Sequence, residues 1–193
     1  MSTEVTNKIT PTLHPDTVKS IVDEYDEDTE AVLAPTMTAF SEAYEGLRQV
    51  HDAREKAKTN PSWTEAEQVM RTQDLADKVM AKVTRTFDNV RGNLVRGIAS
   101  LEEQLSQPVE SKASGSIAAE VRAHLKGLPS GERMSVLREA INSGDHTVAT
   151  AALGAPAMLS GLDANMAKVL LREYHTKHQP QMAKRLAALT AAR

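Results

Sequence analysis

The chain has 193 residues, 40% apolar and 25% charged, with a net charge of −3. That length and balance fit one globular domain or two small ones, each with a real core. The absence of cysteine excludes disulfides and thiolate metal sites, and suits a reducing compartment. Aromatic residues are scarce while Ala, Leu, Val and Met are plentiful, a bias toward helices.

Residues 1–12 are polar and Thr-rich and read as a mobile N-terminal arm. They hold no apolar h-region, so no signal peptide is read there. No run approaches eighteen apolar residues, so no membrane span is expected. Pro15 and Asp16 mark a helix start, with Val18, Val22 and Tyr25 on one face. Asp23 to Glu30 is an acidic cluster. A calcium loop counted from Asp26 would need glycine at its sixth position and glutamate at its twelfth. Those positions hold Ala31 and Met37, so the cluster reads as a solvated acidic face. Pro35 either kinks a long helix or starts a new one. Met37, Phe40, Tyr44 and Leu47 then resume helical spacing, with His51 on the same stripe.

Thr59-Asn-Pro-Ser62 is a turn. Thr64 and Glu67 have capping-box spacing, and Trp63 is placed to staple the entry of the next helix. That helix is the organising element. Val69, Ala76, Met80, Val83, Phe87, Val90, Leu94, Ile98, Leu101 and Leu105 recur at mostly three- and four-residue steps and share one stripe. The helix is expected to run about 43 residues, roughly 65 Å. Residues 16–58 match it in length, so 13–106 read as a long antiparallel helical hairpin or bundle. One hairpin leaves much of the stripe wet. Either the first arm folds back at Pro35 into a three-helix bundle, or copies of the chain associate. Arg71, Lys78, Lys82, Arg85 and Arg96 lie across from the stripe. Glu67 and Asp74 precede Arg71 and Lys78 by four residues, which favours a salt-laced solvent face over a phosphate track. Gly92 and Gly97 fit no nucleotide-binding spacing.

Residues 107–115 read as a linker, and charge changes sign after it. Residues 1–60 carry 6 basic and 12 acidic side chains; residues 111–193 carry 11 and 6. Residues 116–193 read as a small basic domain of four or five short helices. Ile117, Val121 and Leu125 line the first, ended by Gly127 and Pro129. Ser130 caps the second, which Gly144 stops, with Met134, Leu137 and Ile141 on one face. Asp145 caps the third, Asp163 the fourth, with Met166, Val169, Leu170 and Tyr174, and Pro180 starts the last. The expected fold class is all-α: a long antiparallel hairpin or bundle plus a small C-terminal multi-helix domain.

His175 and His178 have ligand-like spacing, but no third ligand is evident and HExxH is absent. No GxSxG motif occurs, lone serines are better read as caps, and Glu102 and Glu103 diverge on a helix. No catalytic residue, metal or cofactor is expected, and the chain is read as no enzyme. Lys168, Arg172, Lys177, Lys184, Arg185 and Arg193 make the C-terminal stretch basic, which suits phosphate contact. Stacking aromatics are nearly missing and no reading helix is announced. Nucleic acid is therefore the second reading. The first is that the seam from Val69 to Leu105 self-associates while the basic tail meets acidic protein, another copy's acidic arm included.

An acidic, kinked N-terminal arm, a long helix and a small basic helical tail make up the layout. The tail runs from Leu128-Pro-Ser-Gly-Glu-Arg-Met134 through Ala155-Pro-Ala-Met-Leu-Ser-Gly-Leu162. This layout resembles the small helical assembly and virion proteins of tailed bacteriophages. The resemblance spans the chain as a layout and transfers no residue roles. It implies a non-enzymatic scaffold, internal or connector-type component. Such a component acts with copies of itself and other structural proteins, in the virion or the host cytoplasm. In scaffolding proteins of this kind a basic helical tail engages coat protein. Outside that resemblance the expected location is cytoplasmic.

Overall fold

The computed structural model describes residues 9–193. Among them are eight α-helices, two 3-10 turns and no strand, so the protein is all-α. The N-terminal arm expected at 1–12 lies mostly outside the described residues. The helices are α1 (Asp16–Ile21), α2 (Glu30–Lys58), α3 (Glu65–Lys112), α4 (Ser116–Gly127), α5 (Ser130–Ser143), α6 (His146–Leu153), α7 (Ala164–His178) and α8 (Pro180–Ala191). The chain divides into two compact units, Met1–Arg96 with Ala188–Arg193, and Gly97–Ala187.

In the first unit, α2 and α3 form an antiparallel hairpin. Phe40 meets Phe87 edge-on at 5.3 Å, and Thr86 Oγ1 donates to Glu42 at 3.1 Å. The helix break expected at Pro35 lies instead at residues 22–29. There Thr29 is fully buried; its hydroxyl donates to the Glu24 carbonyl at 2.6 Å and accepts from the Asp26 N–H at 3.0 Å. The Asp28 N–H bonds the Asp26 carboxylate at 3.0 Å. Such side-chain bonds offer the backbone an alternative to helix, so the acidic stretch turns. Pro35 sits inside α2 and is exposed; the one backbone bond it removes leaves the carbonyl of the exposed Ala31 to water. The turn lets residues before Val22 fold back along α2. His14 meets Tyr44 edge-on at 5.3 Å, and Val18, Val22 and Leu33 are buried together with Ala188.

The second unit packs α4–α7 around Leu125, Leu137, Ile141, Ala149, Ala152, Leu162, Leu170 and Tyr174. Val109 belongs to the same core. That explains why residues 107–112, expected as a linker, are helical. Val109 and Ala113 are buried, and their burial outweighs the one backbone bond that Pro108 removes from α3. The expected C-terminal domain also ends early, because Ala188–Arg193 belong to the first unit.

Local signals act as their chemistry dictates. Asp145 accepts from the Thr147 and Val148 N–H groups, and Asp163 from those of Asn165 and Met166. Gly144 closes α5 at φ 79°. Ser130 is the first residue of α5 and makes no cap; Pro129 holds the cap position. Ile117 and Val169, expected on core faces, are 64% and 49% exposed; Ala118 is buried in place of Ile117, while Leu170, expected beside Val169, is buried.

Candidate association surface

The hairpin contact is built from small residues. On α2 the buried set, beyond the Leu33 that packs with Val18 and Val22, is Thr36, Ala39, Ala43, Gly46, Val50 and Ala57. At 100° per residue this lies roughly 100° round the helix from the expected stripe of Met37, Phe40, Tyr44, Leu47 and His51, all of which are half-buried. On α3 the contact runs through Thr72, Val79, Val83 and Val90. Thr72 is 6% exposed, and a Cβ on Gly46 would lie 2.7 Å from Val79 Cγ1. Sequence reasoning missed Gly46, Thr72 and Val79. The signal was available as seven-residue steps linking Gly46 to Ala39 and Thr72 to Val79, but in small residues.

The seam expected from Val69 to Leu105 is therefore not one surface. In the first unit Val69 and Met80 are 50% and 62% exposed, Val83 and Phe87 are half-buried, and Val90 and Leu94 are buried. Ile98, Leu101 and Leu105 fall in the second unit, with Ile98 and Leu105 buried and Leu101 half-buried. The cause is rotation: α3 turns its small and β-branched side toward α2, roughly 45° from the centre of the expected stripe.

This rotation gives the hairpin two unlike flanks. One is polar. Lys82 pairs with Glu42 at 3.6 Å, Arg48 with Glu45 at 2.6 Å, and an open groove of about 260 Å³ lies between Glu42, Gln49 and Lys82. Both acids there are engaged by cations, which suits a solvated surface more than acid–base chemistry. The other flank is apolar. It holds the Phe40–Phe87 contact, Leu47, and the exposed Met80 and Val69. Trp63 lies at the turn; Arg71 stands 5.0 Å over its ring, and Thr64 and Glu67 form a reciprocal capping box beside it. Hydrogen bonds from Thr64 hold the Glu67 carboxyl below its ordinary range.

No matching family or relative was found. Comparison with protein-family models, curated proteins and solved structures returns no match to this chain. The basic residues singled out in the tail do not share one face. Lys168 and Arg172 are exposed one turn apart on α7, but Lys177 lies on the opposite side and donates to the Asn142 carbonyl at 2.7 Å. Lys184 is half-buried and Arg185 exposed on α8. Among the described residues no group of three or more His, Cys, Asp or Glu is placed to hold a metal ion. No helix among them is long and apolar enough to cross a membrane.

Sequence reasoning paired His175 with His178 in the second unit but missed His146, which packs against His178 and Tyr174. His146 Nδ1 lies 2.9 Å from the Tyr174 hydroxyl, and the His146 and His178 rings stand 4.6 Å apart. His175 is buried beside them. Burial pushes its imidazole below the ordinary histidine range, against the opposing effect of its bond to the Leu105 carbonyl. Burial pushes the Tyr174 phenol up.

Proposed function

We propose that the chain is a non-enzymatic structural or assembly protein working through helix–helix association, as a bacteriophage virion or morphogenesis component. The reading is supported by the unlike flanks of the α2–α3 hairpin, and carried by the exposure of Val69 and Met80. Single exposed apolar side chains are ordinary. These two lie on one line of one helix, about 16 Å apart, beside half-buried Phe87 and Leu47. A second hairpin laid along that flank removes them from water, while the polar flank stays wetted. Sedimentation velocity tests this. The expected result is a sedimentation coefficient that rises with concentration, and a flat response for Val69→Glu with Met80→Glu at unchanged helicity. A wild-type chain that stays a compact monomer at high concentration overturns the proposal.

A second reading, contact with nucleic acid, is favoured by the exposed Lys168–Arg172 pair on α7. It expects duplex or single-strand binding that falls steeply with salt and drops when both residues, or Lys184 and Arg185, become Ala. No binding at low salt removes it.

A further inference from the structure

Three of the six histidines meet at one end of the second unit. His146 opens α6, and its Nδ1 faces the Tyr174 hydroxyl at 2.9 Å. Its ring stands edge-on to that of His178, centroids 4.6 Å apart, and Tyr174 lies 4.7 Å from His178. His178 Nε2 sits 3.2 Å from the Ile141 carbonyl, so that nitrogen carries the hydrogen. His175 is 7% exposed. One of its nitrogens bonds the Leu105 carbonyl of α3, and its Nε2 has no partner.

The neighbouring charges do not compensate these rings. On α6, the Asp145 carboxylate is taken by the Thr147 and Val148 N–H groups. Between α5 and α7, Glu173 is paired with Arg138 at 3.2 Å, and the Lys177 ammonium sits on the Asn142 carbonyl. On α3, Glu102, Glu103 and Glu110 are exposed, as is Arg185 on α8. A proton on His175 therefore places a cation in an apolar interior.

We propose that this end of the second unit is an acid-triggered latch, in which proton uptake by the buried His175 releases the C-terminal half of α7 from α3 and α6. The sign follows from burial. Packed, His175 takes a proton less readily than when α7 opens, where it ionises normally, near 6.5. The open form binds more protons, so its population grows as pH falls below about 6.5. For one imidazole that stays neutral when packed, going from pH 7.5 to 5.0 raises the open fraction by up to about thirtyfold. This inference stands apart from the assembly reading.

Hydrogen–deuterium exchange on the full chain tests it, at pH 7.5 and 5.0, with intrinsic rates corrected. The expected result is a tenfold or larger loss of protection in 167–179 and 103–113, with 39–57 unchanged. His175→Leu should remove most of that loss. Protection that does not change with pH overturns the proposal, as does equal loss in both units. Should His175→Leu not fold, His175→Gln, which keeps a polar side chain there but takes up no proton, decides: a pH response equal to wild type overturns the latch.

Discussion

Gly46 of α2 faces Val79 of α3 so closely that a Cβ built on the glycine would lie 2.7 Å from Val79 Cγ1. Valine is stiff about χ1 and cannot swing away. Gly46→Ala gains about 1 kcal/mol of helix propensity but forces the helices apart, at a cost of about 1–3 kcal/mol. The expected outcome is net destabilisation in urea unfolding. Gly46→Ala combined with Val79→Ala should recover most of it. A fully neutral single variant would show that the close approach is not needed.

Arg133 is the second position where geometry demands one residue. Its guanidinium donates to the carbonyls of Leu125 at 2.7 Å and Leu128 at 2.6 Å, and also to that of Gly161. These carbonyls lie at the end of α4 and in the turn before α7; that of Leu125 also takes the Leu128 N–H at 3.2 Å, and those of Leu128 and Gly161 lie outside the helices. A lysine cannot reproduce the fork. Arg133→Ala is predicted to cost about 2–4 kcal/mol in chemical unfolding, and Arg133→Lys nearly as much. Full rescue by lysine would mean that charge alone is needed there.

Local signals were legible in the sequence because each acts within four residues. The Thr64–Glu67 box, the Asp145 and Asp163 caps and the Pro180 start all need only their own backbone neighbours. The helix face was misjudged for a physical reason. Reading by apolar size picks Met80, Val69 and Phe40, whereas a close helix pair buries Ala43, Gly46 and Thr72 and leaves the large side chains on its flanks. The turn at 22–29 was hidden because Thr29 draws on the Glu24 carbonyl, a bond that no helical period announces. His146 and Tyr174 are 28 residues apart in sequence, so their contact depends on how α6 and α7 pack.

The capping box at the start of α3 carries its own pH dependence. Hydrogen bonds from Thr64 hold the Glu67 carboxyl low. A carboxylate lowered in the folded state adds stability above its unfolded value, about 4.3, and that stability is lost as pH falls through the folded value. Carbon-detected NMR titration should place Glu67 below the other exposed glutamates. Thr64→Ala should return it upward and fray the first turn of α3. A Glu67 titration that ignores Thr64→Ala would disprove the box as its cause.

Ala188 ties the last residues of the chain to the first unit. It is fully buried with Val18, Val22 and Leu33, around which Tyr25, Met37 and Phe40 pack. A charge placed there has no partner, so Ala188→Glu is predicted to destabilise that core by about 3 kcal/mol or more. Arg193→Glu, at an exposed site, serves as the control. Deletion of 188–193 should have a similar but smaller effect, since it exposes apolar surface without burying a charge. Amide exchange of 16–21 and 31–40 is the measurement. Both altered chains should lose protection there while 134–143 in the second unit keep theirs. If Ala188→Glu behaves like Arg193→Glu, the C-terminal residues do not support the fold-back of α1, and Val18 and Val22 must draw their burial from α2 alone.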